Sequence, residues 1–373
     1  MEVLDSLVIG AGQAGLSSSY HLQRLGLEHV VLDADDGPGG AWQHRWDDLT
    51  MSDVHGVADL PGSPVPPAAD GERANTFVPA YFAAYEHEHH LPIVRPVHVS
   101  TVHDEDGVLR VEASASAGPG RQTTAHWLTR TLVNATGTWT QPFVPRYPGA
   151  ETFRGEQLHT VQYPGAEHFR GRRVLVVGGG ASAVQFLGQL RPVTDTLWVT
   201  RREPVWRTEP FDPEAGREAV AMVTERVRQG LPPRSVVSVT GLMLRPQEAE
   251  AARLGAYRPR RGSGATGRGG HLPMFDRIEP TGVSWTDGTH EPVDVILWAT
   301  GFRPAVAHLA PLALRSPLGG IQLDRVTAVA DPRVQMVGYG PSASTIGANR
   351  GGRFAALGVR RHLRSLTPVA AQA

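Results

Sequence analysis

Two glycine-rich segments are the places in this sequence where residue type and spacing could do chemistry. They are Gly10-Ala11-Gly12-Gln13-Ala14-Gly15 and Gly178-Gly179-Gly180-Ala181-Ser182-Ala183. Backbone without side chains can pass close to a pyrophosphate, and a helix that begins at such a loop points its free N–H groups at the phosphates. In the first segment Gly10 permits a tight turn, Gly12 the close approach, and Gly15 the packing of helix on strand. Gln13 and Ala14 lie in the loop between Gly12 and Gly15. In the second segment Gly178, Gly180, Ser182 and Ala183 take the corresponding places.

The elements around the loops fit that chemistry. Leu4–Ile9 reads as a buried strand, a helix follows over about Leu16–Leu25 with Gly26 as its stop, and Val30–Leu32 is a second strand. The second copy runs Arg173–Val177, loop, a helix through Val184, Leu187 and Leu190, and the strand Leu197–Thr200. Asp33 lies 23 residues after Gly10, and Arg201, followed by Arg202, lies 23 residues after Gly178. A carboxylate there accepts hydrogen bonds from a ribose diol and repels a 2′-phosphate, whereas guanidinium groups attract that phosphate. The first loop is therefore expected to hold FAD and the second NADPH, with NADH as the alternative donor.

Composition narrows the classes. There are 36 Lys and Arg against 37 Asp and Glu, a formal net charge of −1, so no overall field favours nucleic acid or an anionic membrane. The sequence has no cysteine, which excludes a protein dithiol, a thiolate metal site and a cysteine nucleophile within this chain. No run of about 20 apolar residues suggests a membrane span, and the start lacks the look of a signal peptide. A cytoplasmic location is expected.

Together these segments resemble the single-component flavin-containing monooxygenases, a family that includes Baeyer–Villiger enzymes. Gly39-Gly40-Ala41-Trp42 is similar to the family's GGxW, where the backbone passes the flavin, and Arg45-Trp46-Asp47-Asp48-Leu49 resembles the segment beside the isoalloxazine. Asp59-Leu60-Pro61-Gly62 resembles the loop that follows. Ala135-Thr136-Gly137 and Ala299-Thr300-Gly301 match two ATG motifs, each after an apolar strand. Phe153–Thr160 is similar to the FxGxxxH segment, and Val337–Arg350, with Gly340 and Thr345, to the segment that closes over the flavin. The stretch Thr50–His55 has no Asn where larger members often carry one.

The resemblance implies an α/β fold of two Rossmann-type domains with three-layer parallel sheets. A discontinuous FAD domain (1–145 and 303–373) would receive an inserted NAD(P)H domain (150–302), with Pro-rich hinges near Pro142 and Pro304. Val97–Val102 and Val108–Val111 read as a hairpin, and backbone near Val99 would meet the adenine. The implied cofactor set is Gly10, Gly12, Gln13, Ala14, Gly15, Asp33, Gly40, Trp42, Trp46, Val99, Thr136, Gly137, Gly178, Gly180, Ser182, Ala183, Arg201, Arg202, Gly301, Gly340 and Thr345.

The implied activity is oxygenation of a small molecule with O2, at N, at S or by Baeyer–Villiger insertion, through a C4a-(hydro)peroxyflavin. No side chain is singled out as catalytic. The alternatives are an NAD(P)H-dependent reductase of a quinone, a metal ion or O2, and a non-catalytic FAD-binding sensor. A homodimer stays open.

Other features read more plainly. Glu86-His87-Glu88-His89-His90 looks like a metal cluster but is expected to be a solvated helix end, so no metal is expected. His159 is expected to link domains. Glu214–Arg228 and Pro246–Leu254 are expected helices, and the basic stretch 257–270 a surface loop, with a lid as the functional alternative.

Overall fold

The computed structural model describes residues 2–54, 56–116, 122–207, 213–233, 241–257 and 271–366. Six helices matter below: α1 (Gln13–Arg24), α2 (Ala74–Glu88), α3 (Ala181–Leu190), α4 (Pro213–Arg228), α5 (Pro246–Arg253) and α6 (Thr345–Leu366).

Two sheets carry the two glycine loops. The first has seven strands in the order Leu323–Asp324, Thr327–Ala328, Val334–Met336, Leu132–Asn134, Ser6–Ile9, His29–Leu32 and Ile93–Val94. Its strands are parallel from Val334–Met336 to Ile93–Val94, and the remaining edge is antiparallel. The second sheet has five strands, all parallel, in the order Leu272–Pro273, Thr196–Thr200, Val174–Val177, Val295–Trp298 and Glu156–His159. Its central strands, Val174–Val177 and Val295–Trp298, are buried at every position, as strands covered on both faces must be.

Parallel strands need crossover connections, and here the helices supply them. Chain segments on both sides of the insert build the first sheet, so that half is discontinuous in sequence. The expected strand Leu4–Ile9 is broken at Asp5. Val3–Leu4 pairs instead with Gln122–Thr129, and only Ser6–Ile9 enters the large sheet. The expected hairpin is longer, Val97–Glu105 with Val108–Ser116, and gains Gln122–Thr129 as a third antiparallel strand.

Helix α4 belongs by sequence to the insert but packs on the first half. Val227 joins the core that contains Leu309, Leu323 and Tyr339. Just beyond α4, the carbonyl of Gly230 accepts from the Gly320 N–H at 3.0 Å and from Ser316 Oγ at 2.6 Å. Among the described residues no helix is long and apolar enough to cross a membrane.

Candidate functional site

The two glycine loops are built on one hydrogen-bond plan. Gly10 N–H donates to the Leu32 carbonyl at 2.7 Å, and Gly178 N–H to the Val199 carbonyl at 2.9 Å. Ala135 N–H donates to Ile9 O and Ala299 N–H to Val177 O, both at 2.8 Å. The alanine of each ATG motif thus sits against the first glycine of a loop. A Cβ on Gly10 would lie 2.7 Å from Ala135 O, and one on Gly178 would lie 2.2 Å from Ala299 O. Both glycines also have positive φ, +97° and +144°, which an L side chain resists.

The middle glycines face open space. A Cβ on Gly180 would meet nothing within 4 Å, and one on Gly12 would meet only Gly40 Cα, at 4.0 Å. Gly40 in turn approaches so closely that its own Cβ would stand 2.8 Å from Gly12 Cα. Helices α1 and α3 start at these loops with no side-chain cap and no acidic residue in the first turn. Their leading N–H groups therefore retain the dipole and donors that an anionic pyrophosphate requires. The cradles fit two dinucleotides.

The third positions differ. A Cβ on Gly15 would stand 1.8 Å from Gly10 O, so α1 packs directly on the loop. The second half carries Ala183 there, fully buried, so its helix leaves room for a methyl. Gln13 does not face the cradle alone. Its Nε2 donates to Ala58 O at 2.7 Å and Asn349 Oδ1 at 3.4 Å, tying α1 to the following loop and to α6. Its buried Oε1 has no partner among the described residues.

The acid and the arginines occupy opposite settings. Asp33 is 6% exposed, and Arg95 Nε donates to its Oδ2 at 3.0 Å. Burial raises its carboxyl above the usual range, against the lowering effect of Arg95. Arg201 and Arg202 follow their strand on the surface, both exposed.

The remaining expected residues gather where the halves meet. Gly137 (φ +62°) and Gly301 (φ +79°) each leave open space where a Cβ would stand. A Cβ on Gly338, near the start of the tail, would stand 3.7 Å from Gly137 Cα and 3.8 Å from Ala14 Cβ. Thr136 Oγ1 donates to Ala305 O at 2.7 Å, joining the first ATG to the return crossing. The two crossings run side by side through a Pro142–Phe302 bridge, with Phe143 N–H on Gly301 O at 2.9 Å. His159 is buried against them, its Nε2 3.0 Å from Gly301 O, and burial lowers its pKa.

Trp42 packs against the cores of both halves, and Trp46 is buried on Tyr163 and Phe186. Gly340 (φ +60°) lies against Val227 of α4. Thr345 begins α6, and Val99 borders a bulge in its hairpin, far along the chain from either loop.

Sequence reasoning passed over one cation here, Arg95, and read Arg45 only as part of a motif. Arg95, introduced above, also pairs with Glu86. Arg45 lies 4.3 Å from the Trp139 ring centroid and 5.6 Å from that of Trp42. Its buried Nε has no partner among the described residues, and burial lowers its pKa to about 10. The first ATG motif could have pointed to Trp139, since it follows Gly137 by two positions.

Glu86 is thus committed to an ion pair, and His87 and His90 stack edge to face at 6.1 Å. An open cavity of about 320 Å3 is lined by Met51, Ser52, Val54, Val57, Val65 and Pro66. Residues 258–270 and His55 lie outside the described residues.

Fold and paired cradles define an oxidoreductase with two dinucleotide-binding folds. The chain belongs to the pyridine nucleotide-disulphide oxidoreductase family, whose sequence profile matches residues 7–228. Unlike that name, it carries no cysteine.

A flavin-containing monooxygenase from Stenotrophomonas maltophilia is 36% identical and superposes with a TM-score of 0.78, covering 98% of this chain and 100% of that one. The indole-3-pyruvate monooxygenase YUCCA4 of Oryza sativa subsp. japonica is 27% identical, over 83% of this chain and 76% of its own. The oxidoreductase CzcO of Bacillus velezensis is 27% identical over 54% of this chain, and the match spans 59% of the CzcO length.

Proposed function

We propose that this protein is an FAD- and NADPH-dependent monooxygenase of small molecules, using O2 for oxidation at N or S or for Baeyer–Villiger insertion. The observation that carries the reading is the pair of complete cradles on one plan, ended by a buried carboxylate in one half and exposed arginines in the other. The full-length likeness to a flavin-containing monooxygenase supports it. In this reading residues 1–145 and 303–373 bind FAD, and 150–302 bind NADPH, with NADH as a weaker donor.

When bound, FAD supplies the chemistry that takes two electrons from NADPH and passes them to O2. The chain's residues bind and orient. Gly10, Gly12, Gly15 and the α1 N-terminus (Gln13, Ala14) hold one pyrophosphate, and Asp33 accepts from the adenosine ribose. Gly178, Gly180, Ser182 and Ala183 hold the other, with Arg201 and Arg202 on the 2′-phosphate. Gly40, Trp42, Trp46, Thr136, Gly137, Gly301, Gly340 and Thr345 shape and dry the space between them. The mixed lining of the cavity, with Met51, Val54, Val57 and Val65 beside Ser52 and Asp70, suits a small substrate with both apolar and polar parts.

The test is reconstituted enzyme given NADPH, labelled dioxygen and a panel of sulfides, amines and ketones. Label in a product, near one product per NADPH, is expected. NADPH oxidised with all oxygen recovered as peroxide, and no product from any class, would move the reading to a reductase.

A further inference from the structure

Asp33 is not a lone acid at a strand end. It is one corner of a buried ion cluster with Arg95 and Glu86, whose side chains are 8%, 13% and 14% exposed. Arg95 Nε donates to Asp33 Oδ2 at 3.0 Å, while Nη1 and Nη2 hold both oxygens of Glu86, at 2.7 and 2.8 Å. The fork of the guanidinium is thus committed to Glu86, and its side donor is aimed at Asp33. Turning Arg95 away breaks three charge-assisted bonds at once.

The backbone repeats the arrangement. Asp33 N–H donates to Val94 O at 3.1 Å, and Val97 N–H donates to Asp33 O at 2.7 Å. The segment carrying Arg95 therefore fixes Asp33 by main chain on both sides and by side chain in the middle. Glu86 is held in turn by α2, whose Pro79 lies against Gly39 of the loop beside the first cradle.

We propose that Arg95 is a positioning residue that acts through Asp33: backed by Glu86, it fixes Asp33 Oδ2 and so sets the plane in which the carboxylate, which also accepts from the Asp35 backbone N–H, is presented to the ribose of the bound nucleotide. This rests on the reading of Asp33 as the ribose-binding acid. Two carboxylates share one guanidinium, so the cluster keeps a net negative charge that welcomes a neutral diol and repels a phosphate. A purely stabilising role accounts for it poorly, because a buried ion cluster gains little over apolar side chains of the same volume.

The test compares FAD with an analogue whose adenosine lacks the 2′-hydroxyl, each titrated into full-length apoprotein and followed by flavin fluorescence. Wild type is expected to prefer FAD about tenfold or more, as for a hydrogen bond to a charged group. In Arg95→Met the preference falls to about twofold or less. In Glu86→Gln, which leaves the Arg95–Asp33 bond, it takes an intermediate value.

Asp33→Asn loses the preference, and Asp33→Asn with Arg95→Met discriminates no worse than Asp33→Asn alone. A folded Arg95→Met with the full preference overturns the proposal. If Arg95→Met does not fold, Arg95→Lys decides, since it keeps charge but lacks the fork: full preference there also overturns it. A wild type that binds both ligands equally fails the reading of Asp33 itself, and is told apart by Asp33→Asn having no effect.

Discussion

At the end of the strand that follows each glycine loop, the two halves of this protein place opposite charges in opposite surroundings. Asp33 is buried and pinned by Arg95, whereas Arg201 and Arg202 stand exposed on the surface. Buried charge is little screened, and its geometry is set before a ligand arrives. Exposed charge is screened within about 8–10 Å at ordinary salt and pays entropy when it orders. In the function proposed above, that contrast suits a first half that keeps its dinucleotide and a second that exchanges one.

The largest effect should come from the tightest contact. Gly15→Val places a side chain on the Gly10 carbonyl, where even Cβ would stand at 1.8 Å, and should cost about 3 kcal/mol or more and leave protein without flavin. Ala183→Gly, its counterpart, removes one buried methyl and should cost about 1 kcal/mol. Thermal unfolding and flavin content measure both, and equal losses would break the contrast.

Next, Arg201→Ser with Arg202→Ser should raise KM for NADPH about tenfold while NADH changes less than about twofold. The salt dependence of NADPH binding should shrink with it. Equal weakening of both donors would mean that the arginines do not read the phosphate.

Protonation gives a smaller, pH-dependent effect. Burial depresses His308 to about 4, and its Nε2 lies 2.7 Å from Asn134 Oδ1, next to the first ATG. A depressed histidine contributes stability that is fully present above its unfolded value near 6.5 and lost as pH falls toward 4. His308→Gln should flatten the stability profile across that window and leave it unchanged above pH 7. An unaltered acid limb would refute the assignment. Smallest of all, Gln185→Ala removes the 2.9 Å bond from Nε2 to Asp53 O between the halves and should cost about 1 kcal/mol, read by denaturant midpoint.

Both loops were readable because their demands are on backbone: glycine at a positive φ and glycine against a carbonyl leave few other residue types. Strand, loop, helix and charge at one repeated spacing then confirm one another. Arg95 was unreadable because it lies 62 positions from Asp33 and is joined to it only by folding. The break at Asp5 was also hidden, since the partner that draws Val3–Leu4 away from Ser6–Ile9 is the strand Gln122–Thr129, more than 115 positions along the chain. The acidic and histidine-rich run at 86–90 was ambiguous for the same reason, because its meaning depends on what Glu86 faces.

The path of α4 bears on whether the insert is a domain at all. Val223 and Val227 are 1% and 2% exposed, and Val227 is covered by the half to which the helix does not belong in sequence. A fragment ending at the two chain crossings would carry that helix with its apolar stripe uncovered, and would strip Tyr339 and Gly340 of their neighbour in the remainder. Excision at those crossings would leave apolar surface bare on both pieces, since the Val227 contact is shared between them.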